Sequence, residues 1–484
     1  ILIWAELPNW MHLSPAASTR AEETFAAMVE RDWNHPSIIV WTLVNEDWGT
    51  DLVHDDEHRQ WLLEFFHQAK ALDPTRLIVD NSPCHPNAHI ISDLEDYHHY
   101  RVIPDNAAAW TQWVADFAAR PDWAWVDDYA HLRQADAPLI VSEFGNWGLP
   151  DPAQLIEDEA EPWWFDTGYD WGEGIVTPRG LEQRFLDWRL DRTFGTFAAF
   201  LHASQQQMAR SLAYEISAIR SQAAMGGYVV TELTDIYWEA NGLLDFQRNV
   251  KAGMAERVAT VNHEHAVLIE PETWSAEVGE AIRVRFLAVD GKGPARRGRL
   301  RWRTEQASGE VSAPGDSVLI PMPPAGESCL VSVQAEWVEG DRVLAANRIE
   351  LTCLAIPSWD GAVHFAGDPA LALALRDAGY EAATGASDAR LLITDNLSDA
   401  TLGRVRNGAQ AVWFVDARAE PAAPMQLAFL GDQTRILARE GTWWQGDWAS
   451  SCSWLRKTGP FAHLPGDPML EMAFADIMPR HVLT

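Results

Sequence analysis

The run from Ile38 to Val44 has no in–out alternation and stops abruptly at Asn45-Glu46. A strand with one wet face alternates; one that is apolar on both sides belongs to a parallel sheet covered on both faces. Short apolar runs recur at residues 1–5, 77–80, 90–98, 139–142 and 228–232. Amphipathic stretches at 21–32, 57–72 and 110–119, and a longer helical segment at 179–222, lie between them. Parallel strands need such crossovers, so residues 1–258 read as strands ringed by helices.

The pattern then changes. Residues 262–356 show closely spaced strand-like runs at 282–288, 300–303, 317–320, 330–337 and 348–353, with Gly, Pro and Asp between them. That spacing predicts a β-sandwich of immunoglobulin-like size. Residues 359–484 alternate again, predicting a small α/β domain. The chain is therefore multidomain.

The net charge of −33 disfavours nucleic acid and anionic membranes as partners. No apolar run approaches the roughly 20 residues that cross a bilayer. Four cysteines make no disulfide framework and no C-x-x-C zinc pair. Cys329 and Cys353 share the strand-rich region, where pairing stays open beside two buried thiols. The chain opens on Ile1 inside a strand-like run and closes inside another, which reads as a piece of a longer protein with upstream strands outside it. Localisation and homo-oligomerisation are left open.

The chemistry lies at strand ends. Glu46 closes one apolar run, and Glu143 closes another in Leu-Ile-Val-Ser-Glu-Phe-Gly. A carboxylate at the end of a buried strand is either one half of a salt bridge or a working group. Two of them at the C-terminal ends of barrel strands stand where barrel enzymes keep their chemistry. A pair of carboxylates is the apparatus of glycoside cleavage. Asn45 and Glu46 reach one ligand only if the strand end bends, since neighbours on a strand point apart. Gly145 would allow a sharp exit after Glu143. His35, before Pro36, reads as a turn residue. A metal reading of adjacent His98 and His99 is disfavoured because they too point apart.

The stretch from Arg31-Asp32-Trp33-Asn34-His35-Pro36-Ser37 to Asn45-Glu46 resembles the acid/base signature of glycoside hydrolase family 2, which includes β-galactosidases, β-glucuronidases and β-mannosidases. Ser142-Glu143-Phe144-Gly145 resembles its nucleophile signature, and Asn241-Gly242-Leu243-Leu244-Asp245 the turn after its eighth strand. The resemblance implies a partial (β/α)8 TIM barrel, truncated at its N-terminus, and a retaining β-glycosidase with a carbohydrate substrate. Glu46 would be the general acid/base and Glu143 the nucleophile, with carboxyls roughly 5–5.5 Å apart. Asn45 would bind the sugar 2-hydroxyl and Tyr100 the nucleophile. His98, Glu6 and Trp147 would line the sugar site. An acid at Glu46 calls for a raised pKa, part of which negative Glu143 would supply. No cofactor is required; a divalent or sodium ion stays open.

Two departures bear on specificity. Where many members place a Trp platform on the last strand, this chain offers Glu232 or the later Trp238. Where β-glucuronidases carry Asn-x-Lys before the turn glycine, this chain has Glu239-Ala240-Asn241, and the Asn249-Val250-Lys251 match lies beyond the glycine. A Glu there would repel an anionic sugar, so a neutral one, with β-galactoside leading, is expected over a β-glucuronide or β-mannoside. The alternative of another class is a non-catalytic carbohydrate-binding protein on the same scaffold. Chemistry in the last α/β region would need a cysteine nucleophile with a histidine partner, and Cys452 has no such context.

Overall fold

The structure is a computed structural model. It describes residues 2–165, 180–236, 239–356, 363–366, 369–377, 379–380, 389, 391–395, 398–414, 425–426, 435–438, 453–478 and 481–483. The chain divides into two compact units, Ile1–Leu354 with Gly441–Met478, and Ala355–Glu440 with Pro479–Thr484.

The first unit opens with β1 (Ile3–Glu6), α1 (Pro15–Asp32), β2 (Ile38–Asn45), α2 (Asp56–Leu72) and β3 (Leu77–Ser82). These three strands form one parallel sheet in the order β1-β2-β3. Helix α1 begins a turn and a half earlier than its apolar spacing suggests. Ser14 accepts a hydrogen bond from the Ala17 amide and Pro15 follows at the first helical position, so the start signal lay in capping rather than periodicity. Phe25, Leu62 and Phe65 from the two helices pack on Trp41, Leu43 and Ile78 of the sheet. Arg76 closes the bottom of this layer: it pairs with Asp73 at 2.6 Å and donates to the carbonyls of Trp33, His35 and Ile38. His35 is thereby a turn residue, as its sequence context suggests.

A second parallel sheet follows, in the order β4 (Glu95–His98), β5 (Leu139–Phe144) and β6 (Met225–Val230). Helix α3 (Ala107–Ala118) links β4 to β5. Helices α4 (Leu181–Asp187), α5 (Asp191–Phe194) and α6 (Phe197–Arg220) precede β6. Trp110, Val114 and Phe117 of α3 and Leu212 and Ile216 of α6 share one core with Val141 and Phe144. The predicted strand at 90–98 shrinks to its last four residues. The buried carboxylate of Asp80 accepts from the Ile90 and Ile91 amides and faces His89 at 2.8 Å, which holds the first half of that run in a turn.

Further along the same unit, β7 (Ala266–Pro271), β8 (Ser275–Glu277), β9 (Ala281–Asp290), β10 (Gly293–Pro294), β11 (Arg299–Arg303), β12 (Ser308–Ser312), β13 (Gly315–Pro321), β14 (Cys329–Glu339) and β15 (Arg342–Leu354) make two sheets. Val267, Phe286 and Ile320 from one sheet and Leu300, Val333 and Leu351 from the other fill a common core. In the second unit, Val363–Ala366, Leu391–Thr394 and Gln410–Trp413 form a parallel sheet, with helices at Pro369–Asp377 and Asp399–Arg406. Among the described residues no helix is long and apolar enough to cross a membrane.

Candidate active site

All six strands of the two parallel sheets deliver residues at their C-terminal ends. Glu6 ends β1, Asn45-Glu46 end β2, Cys84 follows β3, and His98 ends β4 with Tyr100 just beyond. Glu143 is the penultimate residue of β5, and Glu232 follows β6.

Glu46 sits in the bend that lets both it and Asn45 face the cleft. Its φ is 52° and that of Asp47 is 68°, a left-handed turn that non-glycine residues adopt at a cost. The Glu46 amide donates to the Ser82 carbonyl at 3.1 Å, and Asp47 accepts from the Leu52 amide at 2.8 Å, so the surrounding loop fixes the bend. On the other sheet the register slips between Tyr97 and His98: Tyr97 opposes Val141, but His98 opposes Glu143. Such irregularities re-aim side chains. This one sets His98 beside Glu143. Gly145 serves a different purpose from the expected sharp turn. Its φ is ordinary, but a Cβ there would lie 2.2 Å from the Thr231 carbonyl oxygen, so the close approach of the chain after β6 demands glycine.

The two glutamates meet across the cleft, each with its side chain 24% exposed. Their facing oxygens and a nitrogen of His98 all lie within 4.8 Å of one another. His98 Nδ1 is 2.8 Å from Glu46 Oε1 and 3.3 Å from Glu143 Oε2. Tyr100 Oη donates to Glu143 Oε2 at 2.8 Å. Trp48 Nε1 donates to Glu46 Oε2 at 3.4 Å, and Trp147 packs its ring 6.1 Å from that of Tyr100. Asn45 Oδ1 and Glu232 Oε1 are buried acceptors with no partner among the described residues. Trp238 lies outside the described residues.

His98 is 2% exposed and turns onto the carboxylates, not along the wall of the cleft as expected of a sugar contact. Burial alone would depress its pKa. Glu143, the hydrogen bond and charge of Glu46, and Asp96 outweigh it and push the imidazole up to about 9. Glu46 is correspondingly held below its ordinary value: burial raises it, but His98, Trp48 and Cys84 more than offset that. Glu143 goes up, chiefly through burial and then through the charge of Glu46, with His98 and Tyr100 pulling the other way. The free site thus reverses the expected order, because the imidazolium sits closer to Glu46 than to Glu143. A pair this tightly joined titrates as a unit.

More carboxylates crowd the rim. Glu6 reaches solvent, so its desolvation is partial, yet burial of its inner face and then the charges of Glu143, Asp96 and Glu46 push it up to about 7 against the pull of His98. Burial, Glu239, Asp235 and Glu143 push Glu232 up to about 8. Burial also raises Glu239, with the charge of Glu46 adding to it. Lys251 is buried and committed: its Nζ pairs with Asp235 at 2.6 Å and donates to the carbonyls of Gly148 at 3.0 Å and Ala240 at 2.9 Å. Sequence reasoning passed over Trp48 and Cys84. Trp48 lies only two residues beyond Glu46, whereas Cys84 is brought in by the sheet.

The raised imidazole has a consequence for stability. Its folded pKa of about 9 exceeds the ordinary 6.5, so its contribution is complete below pH 6.5 and is lost as pH rises through 9. The raised carboxylates of Glu6 and Glu232 act in the same direction at lower pH. The melting temperature is therefore expected to fall between pH 6.5 and 9, and His98→Gln to flatten that fall. A variant with the wild-type slope would show that His98 carries no shared proton.

Residues 8–157, which contain both strand-end glutamates, match the family described as glycosyl hydrolases family 2, TIM barrel domain. A β-galactosidase of Thermoanaerobacterium thermosulfurigenes is 32% identical over 78 residues, covering 16% of this chain and 10% of that protein. β-Galactosidase 2 of Enterobacter cloacae is 32% identical over 142 residues, covering 29% of this chain and 11% of that protein. These alignments thus span about a tenth of the relatives' length. Among solved structures, a β-D-mannosidase from Dictyoglomus thermophilum aligns with a TM-score of 0.47 at 13% identity, covering 75% of this chain and 44% of that one. The segment that carries Glu46 and Glu143 thus matches the glycoside hydrolase family 2 barrel.

Proposed function

We propose that this protein is a retaining β-glycosidase that removes a terminal neutral sugar, with a β-galactoside as the leading substrate. The observation that carries the reading is the approach of the Glu46 and Glu143 oxygens to within 4.8 Å. Oxygens that close fit the roughly 5–5.5 Å carboxyl separation of retaining enzymes better than the roughly 6.5–9.5 Å of inverting ones.

In this reading Glu143 attacks the anomeric carbon and Glu46 protonates the departing oxygen. A glycosyl ester forms on Glu143. Glu46 then takes a proton from water as the water displaces the sugar. Tyr100, already donating to Glu143 Oε2 at 2.8 Å, orients the nucleophile and releases it as the ester forms. The orphaned Asn45 Oδ1 accepts the sugar 2-hydroxyl. His98 resolves the reversed pKa order. It stores the proton 2.8 Å from Glu46 Oε1 and delivers it there once Glu143 commits its charge to the sugar. It acts through Glu46 and is a positioning residue.

The preference for a neutral sugar rests on charge. Glu6, Glu232 and Glu239 surround the cleft, and Lys251, the nearby cation, is locked to Asp235 and two carbonyls. A sugar carboxylate would add to a cleft whose carboxyls already push one another's pKa up. We also read residues 262–356 as an immunoglobulin-like sandwich and 359–484 as a small α/β domain.

The full-length protein, assayed on nitrophenyl β-galactoside, β-glucoside, β-mannoside and β-glucuronide, is expected to release nitrophenol from a neutral glycoside and to leave the glucuronide intact. Turnover of the glucuronide would overturn the charge argument. Binding of sugar without any release, from folded protein, would favour the non-catalytic alternative.

A further inference from the structure

Cys329 opens β14, and Cys353 lies one residue before the end of β15. The two are direct partners in the antiparallel ladder. Partners across such a ladder project to the same side. Their Cα atoms stand about 4.5–5.5 Å apart, inside the roughly 4.4–6.8 Å that a disulfide spans. Both thiols belong to one core cluster, Cys353 at 0% exposure and Cys329 partly buried against it. The Cys353 thiol is pushed up by burial and then by the neighbouring Cys329 thiol, which places the two side chains in contact. In the structure both are free.

We propose that Cys329 and Cys353 are a redox modification site, closing to a cross-strand disulfide by exchange with a small disulfide such as glutathione disulfide. The difference in exposure sets the order of events. The Cys329 thiolate, which solvent can reach, attacks one sulfur of glutathione disulfide, forming a mixed disulfide and expelling one glutathione thiolate. Cys353 attacks the Cys329 sulfur, and its proton passes to the departing second glutathione thiolate. Two protein thiols are oxidised and one glutathione disulfide is reduced to two thiols. Cys84 is a poor competitor: burial and then the charges of Glu46, Glu143 and Asp47 push its thiol up to about 12.

The bond would clip the open end of the β14–β15 hairpin. Ser328 lies outside the ladder, and on its far side Cys353 pairs with Ala276 of β8. Closing that end restricts the unfolded chain, so the melting temperature of the oxidised protein is expected to rise by several degrees. Glycoside turnover is expected to stay the same, since neither thiol belongs to the cleft.

The test is to equilibrate the full-length protein in a glutathione redox buffer, quench in acid, alkylate under denaturing conditions and digest. The expected result is the loss of two thiols and a peptide pair joined through Cys329 and Cys353. In C329S neither the link nor the rise in melting temperature should appear. Alkylation of both Cys329 and Cys353, or a link through Cys84 or Cys452, would overturn the proposal.

Discussion

Glu143→Gln is expected to lower kcat by a factor on the order of 10⁴–10⁶ while the protein keeps its fold and still binds sugar. The amide has nearly the shape of the carboxylate and can still meet the Tyr100 hydroxyl that now lies 2.8 Å from Oε2. What it lacks is the anionic oxygen that forms the glycosyl ester. Because that step comes first for every substrate, the loss should be alike for good and poor leaving groups. Titration of a competing sugar against the variant separates this outcome from misfolding. Turnover near the wild-type rate would remove Glu143 from the mechanism.

Glu46→Gln is expected to be selective instead. For glycosides whose leaving oxygen must be protonated, kcat/KM should fall by about 10²–10⁴. For a dinitrophenyl glycoside, whose leaving group departs as an anion, the first step should be little affected. The loss then appears in the second step, where Glu46 deprotonates water, and turnover should show a burst of one equivalent followed by a slow phase. This contrast also tests the free-state pKa order. Glu46 lies below its ordinary value and Glu143 above it, the reverse of the roles assigned. If Glu46 were the nucleophile, Glu46→Gln would abolish the burst and Glu143→Gln would be the variant that spares activated substrates.

Much of this site was legible in the sequence because the apolar runs end where the chemistry begins. Ile38–Asn45 and Leu139–Phe144 are strands that needed only their hydrophobicity to be found, and each leads straight to its glutamate. Tyr100, singled out by the motif around it, donates to Glu143 Oε2. What the sequence hid are effects of register and approach. His98 was expected to line the sugar site, but a slip of one residue in β4–β5 pairing carries it onto both carboxylates, and no pattern in Asp-Tyr-His-His-Tyr announces a slip. The carboxyl pKa order followed from the same displacement. Gly145 read as a hinge and proved to be a point of contact with Thr231. Lys251, set aside from the glucuronidase motif by its position, is held by Asp235, and that partnership is visible only once the turn after β6 is folded. Residues 90–94 look like strand because they are apolar, while the buried Asp80 carboxylate, remote in sequence, takes their amides.

The central claim is that Glu143 carries the sugar. It is tested most directly by incubating the full-length protein with a dinitrophenyl 2-deoxy-2-fluoro-β-glycoside of its preferred sugar, then digesting and sequencing the labelled peptide. The electron-withdrawing fluorine slows both steps and the good leaving group restores the first, so the ester accumulates. One fluorosugar per chain, attached to Glu143 and absent from Glu143→Gln, is the result expected. A label on Glu46, or dinitrophenol release that leaves no labelled peptide, would contradict it.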